Sequence, residues 1–243
     1  MGKIIAIVSG KGGTGKTTAT GALGSCMAAM GKKVLCIDFD MGLRNLDIVL
    51  GLSSHAVSDL SHLFGGMSVE EACIVHPKIN GLHFLGAMPT YTKEYDADTA
   101  SGVFETLREK FDYILIDAPA GISDGFRFAA GISDTAVIIA TGDASSMRDG
   151  GTVGMELRKL GINDIKLLVN MVEPEIYKKV GTTVDNVIDT IGAQLIGVVR
   201  TDKNVRLAAN FETPLVLYSR GRAAQGLLRT ARRLCGEEIP LSI

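Results

Sequence analysis

Short, uninterrupted apolar runs recur along the chain at Ile4 to Val8, Val34 to Ile37, Leu82 to Leu85, Tyr113 to Ile116, Ala136 to Ala140, Lys166 to Val169 and Leu195 to Val199. The runs favour β-branched residues and are too short for helices, while the stretches between them carry helical periodicity. A continuous apolar run, rather than an alternating one, is what a strand needs when helices cover both faces of its sheet. The pattern therefore predicts an α/β fold, a doubly wound, mostly parallel sheet with helices on both faces, and places ligands beyond the carboxyl ends of the strands. No stretch of the 243 residues reads as a linker, so one domain over 1–243 is expected.

The polar residues that interrupt this pattern fall just after the runs. Behind Ile4 to Val8 comes Gly10-Lys11-Gly12-Gly13-Thr14-Gly15-Lys16-Thr17-Thr18, followed by a small-residue stretch from Ala19 to Met30. The spacing G-x-x-x-x-G-K-T at a strand-to-helix junction is that of a phosphate-binding loop. Its glycines let successive N–H groups face one concavity, and the helix N-terminus adds partial positive charge. Lys16 is expected on the β- and γ-phosphates and the Thr17 hydroxyl on Mg²⁺. A chain of this length matches the spacing by chance about once in a hundred, so the competing reading, a glycine-rich turn with an exposed lysine, is set aside.

Two further strand ends carry carboxylates. Asp38 and Asp40 follow Val34 to Ile37, and Asp117 follows Tyr113 to Ile116. An acid closing a buried strand is costly unless it meets a cation or donors. Asp117 is expected to hold Mg²⁺ directly or through water. Asp38 and Asp40 are two apart, so continued strand geometry would put them on one face, one orienting the metal shell and the other the attacking water. The alternative for all three is a helix cap or turn aspartate. Gly121 and Gly125 flank a loop able to respond to loss of the γ-phosphate.

Composition narrows the picture. Hydrophobic residues make up 46% and charged residues 21%, enough apolar material for a doubly covered sheet, and a net charge of −2 leaves any polyanion binding to a local patch. Cys26, Cys36, Cys73 and Cys235 form no C-x-x-C pair and read as small buried hydrophobes in a reducing, cytoplasmic protein. No apolar run reaches membrane-spanning length. His55 and His62 are spaced to share a helix face but lack a third metal ligand. The arginines 220, 222, 229, 232 and 233 form a basic cluster, most simply the solvated side of a helix whose core stripe is Ala224, Leu227, Leu228, Ala231 and Leu234. Nothing between Gly65 and Thr99 suggests chemistry.

The loop GKGGTGKTT, with Lys11 directly after its first glycine, and the stretches IDFDMGLRNLDIVLG and IDAPAGI resemble the MinD branch of the MinD/ParA ATPases, whose loop has this deviant form. The likeness runs nearly end to end and takes in Ser145 to Asp149, Leu167 to Asn170 and Leu195 to Val199. It implies a Mg²⁺-dependent ATPase with ATP and ADP as ligands, an ATP-dependent homodimer, and a role in spatial positioning, with division-site placement the expected use. Position by position, Lys11 would cross the dimer interface to the other subunit's phosphates, and Asp40 would orient the attacking water. Asp38 and Asp117 would serve the magnesium shell, and Asn170 would contact adenine. A MinC-like inhibitor and an ATPase-stimulating regulator are the implied partners.

Three departures qualify the likeness. After Gly236-Glu237-Glu238-Ile239-Pro240 the sequence has three residues, too few for the basic amphipathic helix that docks family members on anionic lipid, so the expected location is the cytoplasm with peripheral attachment at the inner membrane left open. Gly151 and Thr152 stand where the family has an aspartate and an arginine, and Arg200-Thr201-Asp202 replaces a Pro-acid-Asp near the base. A ParA-like DNA or plasmid segregation ATPase, supported by the arginine cluster, and a flagellar or organelle-positioning homologue stay open as alternatives. A metal-cluster carrier of the same superfamily would need paired interface cysteines that the chain lacks.

Overall fold

The computed structural model describes residues 1–40, 45–55, 58–88 and 97–241, with 97–99 as backbone. Among them eight strands form one sheet: β1 (Lys3–Val8), β2 (Val34–Asp38), β3 (Ile74–Val75), β4 (Leu82–Leu85), β5 (Tyr113–Asp117), β6 (Thr135–Ala140), β7 (Ile165–Val172) and β8 (Gln194–Arg200). Their order across the sheet is β3-β4-β2-β5-β1-β6-β7-β8, all parallel except β3, which runs antiparallel to β4 at the edge. The seven apolar runs are seven of these strands. β3, at two residues, is too short to leave a pattern in the sequence.

Burial alternates along β1 as a doubly covered strand requires. Ile5 and Ile7 enter one core, Ile4, Ala6 and Val8 the other, and all five are 0% exposed. The first core is closed by α1 (Lys16–Ala29), α2 (Leu46–Leu50), α10 (Lys203–Asn210), α11 (Leu215–Tyr218) and α12 (Arg222–Leu234). The second is closed by α3 (Leu60–Phe64), α4 (Val69–Ala72), α5 (Ala97–Lys110), α6 (Asp124–Gly131), α7 (Ala144–Lys159) and α9 (Val184–Ile191). Between the last two, α8 (Pro174–Val180) buries no residue fully and packs through Tyr177.

Small residues decide how closely α1 lies on the sheet. A Cβ at Gly24 would sit 2.3 Å from the Cys36 sulfur and one at Gly21 2.6 Å from a Val49 methyl, so both positions exclude larger residues. The strand order turns at β1: α1 leads to β2 on one side, and α6 leads to β6 on the other. That reversal opens a crevice beyond the carboxyl end of β1, where the glycine loop lies.

On α12 the expected stripe holds at Ala224, Leu227, Ala231 and Leu234, but Leu228 is 40% exposed and belongs to the solvent face. Thr230, fully buried, takes the core position instead, with its hydroxyl bonded to the Gly226 carbonyl at 2.9 Å. No helix among the described residues is long and apolar enough to cross a membrane.

Candidate nucleotide site

The N-terminus of α1 is built for an anion. Gly15 caps it with φ 86°, no side chain accepts a hydrogen bond from its first N–H groups, and no acid lies in its first turn. Among the described residues six other helices are capped by side chains, Asp59, Ser68, Ser123, Asp143, Thr183 and Asp202 each accepting from a first-turn N–H, whereas α2, α8, α11 and α12 share with α1 the lack of a side-chain cap. Leaving α1 uncapped keeps donors and dipole for a ligand. Gly10, Lys11, Gly12, Gly13 and Thr14 form the loop between β1 and α1, Thr17 and Thr18 lie in the first turn of α1, and a Cβ at Gly12 or Gly13 would meet nothing within 4 Å.

Lys16 is buried and turned inward, its Nζ 2.8 Å from Asp117 Oδ1. Thr20 Oγ1 donates to the same oxygen at 3.1 Å, while Asp117 Oδ2 is buried and accepts no hydrogen bond. Burial pushes the Asp117 carboxyl above its ordinary range, against the pull of Lys16 and of the Thr17 and Thr20 hydroxyls. Across the β2–β5 ladder, Asp117 is register partner of Asp38. Asp38 is 2% exposed, and burial first, then the Asp117 charge, push its carboxyl up to about 7.

Two buried acids side by side, one with an orphaned oxygen, are short of positive charge. A hard dication ligated by oxygen fits that deficit, and Thr17, Asp117 and Asp38 are the groups that could hold it. Asp38 has a second task. Its Oδ1 accepts from the Asp40 N–H at 2.9 Å and its Oδ2 from the Asn45 and Leu46 N–H groups at 3.3 Å, shaping the turn into α2.

The shared strand face expected for Asp38 and Asp40 is not formed. β2 ends at Asp38, whose carboxylate draws the backbone of Asp40 round it, leaving Asp40 half-buried in the turn. Residues 41–44 of the same acidic stretch lie outside the described residues. Gly121 makes a turn at φ 77°, with its N–H on the Ser9 carbonyl at 2.9 Å. Gly125, expected to flank that loop, is instead in the first turn of α6.

Lys11 reaches out of the loop to the start of α7, with Nζ 2.7 Å from Asp143 Oδ1 and 2.8 Å from Ser145 Oγ. Asp143 also caps α7 through the Ser146 N–H and accepts from Ser145 at 2.7 Å. Desolvation opposes the charge on Asp143, but Lys11, the Thr141 and Ser145 hydroxyls and the Ser146 N–H outweigh it and hold the carboxyl well below the usual range. Nothing in the sequence joins positions 11 and 143.

Asn170 stands at the end of β7, buried, and donates from Nδ2 to the Thr14 carbonyl at 2.8 Å. Beside it an open cleft runs from Gly15 and Thr18 past Met171 to Arg200, Thr201 and Asp202. A base carried by a phosphate on the loop would enter here. The residues that depart from the family pattern at 200–202 are therefore in its wall, and Asp202 itself caps α10.

Other sequence candidates do not gather. His62 lies in α3 and His55 outside it, so they share no helix, and no metal-binding cluster of His, Cys, Asp and Glu occurs among the described residues. Burial pushes the Cys26 and Cys73 thiols up to about 12, as expected of inert packing residues. The arginine cluster is partly spent on structure: Arg232 pairs with Glu237, and Arg233 donates to the Ile196, Ile239 and Pro240 carbonyls. Missed altogether was His76, buried, with Nε2 on the Leu50 carbonyl and Nδ1 accepting from Lys78 and Ile79 N–H groups.

The CobQ/CobB/MinD/ParA nucleotide binding domain matches residues 5–215. The septum site-determining protein MinD of Synechocystis sp. is 37% identical over 99% of this chain and 92% of its own length. Among solved structures, the MinC:MinD cell division protein complex of Aquifex aeolicus superposes with a TM-score of 0.91 at 36% identity, covering 99% of this chain and 98% of that one. The septum site-determining protein MinD of Pyrococcus horikoshii complexed with Mg-ADP gives 0.82 at 30% identity, covering 96% of each. By its uncapped loop, its paired acids and this end-to-end likeness, the chain belongs to the CobQ/CobB/MinD/ParA family of nucleotide-binding domains, in its MinD branch.

Proposed function

We propose that the chain is a Mg²⁺-dependent ATPase, one domain over 1–243, whose product is an oligomeric state used to place the division site. The observation that carries this is the uncapped α1 N-terminus standing over a buried Lys16–Asp117 pair with an orphaned carboxylate oxygen. The uncapped N–H groups suit an anion, and the unpartnered Asp117 Oδ2 beside Asp38 suits a cation. Magnesium nucleotide supplies both.

In the proposed cycle the triphosphate lies on the loop N–H groups of 10–18 and draws Lys16 from Asp117 onto its β- and γ-oxygens. Bound Mg²⁺, held by Thr17 and Asp117 with Asp38 behind them, would neutralise charge on the same oxygens. Asp40, free of ordered strand structure, orients the attacking water. Lys11 exchanges its cis partners Asp143 and Ser145 for the phosphates of a second copy, so that closure of a homodimer completes the charge complement, much as an arginine finger does. Asn170 faces the adenine. Hydrolysis removes the γ-phosphate and returns Lys11 to Asp143.

The Aquifex relative is seen with MinC, and a MinC-like inhibitor is the partner proposed here, with a separate regulator stimulating hydrolysis. The location proposed is the cytoplasm.

The test is light scattering of an Asp40→Ala variant in Mg²⁺ with ATP or ADP, beside phosphate release by the unaltered chain. A dimer with ATP, a monomer with ADP, and release that stops when Mg²⁺ is chelated are expected. Release without dimerisation would overturn the switch reading, and absence of both would overturn the activity.

A further inference from the structure

The Asn170–Met171 step does more than border the base cleft. The β7–β8 register breaks between Val169 and Val172, and Met171 sits at φ 53°, a left-handed conformation uncommon for a residue with a side chain. That break turns Asn170 under the glycine loop, where its Nδ2 holds the Thr14 carbonyl at 2.8 Å out of contact with solvent. The fit is tight from two sides: a Cβ at Gly15 would lie 2.4 Å from Asn170 Nδ2 and 3.2 Å from the Met171 methyl.

Thr14 needs such a hold. It lies between Gly13 at φ 82° and Gly15 at φ 86°, residues whose backbone turns easily, and its own hydroxyl is buried without a hydrogen-bond partner. The Thr14 carbonyl and the Gly15 N–H share one trans peptide and point in opposite directions. Fixing the carbonyl on Asn170 therefore aims the Gly15 N–H away from β7.

We infer that Asn170 is a positioning residue for the phosphate loop, setting the Thr14–Gly15 peptide so that the Gly15 N–H meets phosphate whether or not a base is present. The inference rests on the nucleotide reading above and adds to it a contact that adenine recognition does not require. It makes affinity for a base-free polyphosphate depend on a side chain at the base cleft.

The experiment is calorimetric titration of the full chain with Mg²⁺-tripolyphosphate and, separately, Mg²⁺-ATP, for the unaltered protein and for Asn170→Ala and Asn170→Leu, with folding checked by circular dichroism. One buried amide hydrogen bond corresponds to a loss of roughly three- to tenfold, and that loss is expected for tripolyphosphate as well as for ATP. Tripolyphosphate affinity unchanged while ATP affinity falls would overturn the inference and leave Asn170 a base contact. No binding of either ligand by the unaltered chain would overturn the nucleotide reading instead. If both variants fail to fold, amide exchange at Gly15 in the unaltered chain decides: no slowing on adding tripolyphosphate would overturn the inference, and slowing would support it.

Discussion

Lys16→Met tests the buried pair at the centre of the site without any ligand. Asp117 is 0% exposed and Lys16 6%, and the 2.8 Å contact between them is the main compensation for burying the carboxylate. Removing the cation leaves that charge with the Thr17 and Thr20 hydroxyls and no countercharge at hand. Breaking a pair of this kind costs about 3–5 kcal/mol, a large part of the roughly 5–15 kcal/mol of a typical domain. In urea, with a slope of about 3 kcal/mol per M, the midpoint should fall by roughly 1–1.7 M. The loss should grow with pH. Without Lys16 the folded-state carboxyl titrates still higher, while the unfolded one titrates near 3.9. The unfolded chain therefore releases its proton first, and stability falls as pH rises towards the folded-state value. Lys16→Met should thus recover part of its deficit between pH 8 and pH 5. Adding Asp117→Asn should restore much of it, because the orphaned charge is gone. A single variant within about 1 kcal/mol of the parent, or a double variant no more stable than the single, would refute the reasoning.

Lys11→Ala should abolish ATP-dependent dimerisation in light scattering, whereas Asp143→Asn, which keeps an oxygen to cap α7 but weakens the hold on Lys11, should let the dimer form at lower protein concentration; equal behaviour of the two variants would contradict the exchange of partners. His76 is held neutral, its Nδ1 accepting two backbone N–H groups, and burial pushes its pKa down. Below the unfolded value of about 6.5 the unfolded state takes up the proton first, so stability is intact above that pH and declines as it falls. Thermal unfolding at pH 7.5 and 5.5 should show a smaller acid loss in His76→Gln than in the parent. Gly24→Val would press into Cys36 from 2.3 Å, and overpacking costs about 1–3 kcal/mol; an undiminished melting temperature would mean that α1 can lift off the sheet freely.

Among the expected site residues, those legible in the sequence lie close to a strand end. The glycine loop, Asp38 and Asp117 each follow a buried apolar run, and a parallel sheet brings all such ends to one edge, so position along the chain translates directly into position in the site. Asp40 shows the reach of that rule. One turn beyond Asp38 the backbone is governed by hydrogen bonds to the Asp38 carboxylate, and strand periodicity no longer applies. The arginines of α12 were legible as a polar face. That Arg233 is consumed by the Ile196, Ile239 and Pro240 carbonyls depends on a strand and a tail arriving beside it.

By itself the sequence determined what repeats locally: strands from continuous apolar runs, a doubly covered sheet, and a loop whose spacing demands phosphate. Only the tertiary structure decided the partners of each charge. Lys11 meets Asp143 across 132 residues, Lys16 meets Asp117 across 101, and Asn170 holds Thr14 across 156. Periodicity is a property of neighbours along the chain and survives without the fold. A hydrogen bond or ion pair between distant residues exists only once strand order, register and a single break in β7 have brought two polar groups within 3 Å, and no composition or spacing encodes that distance.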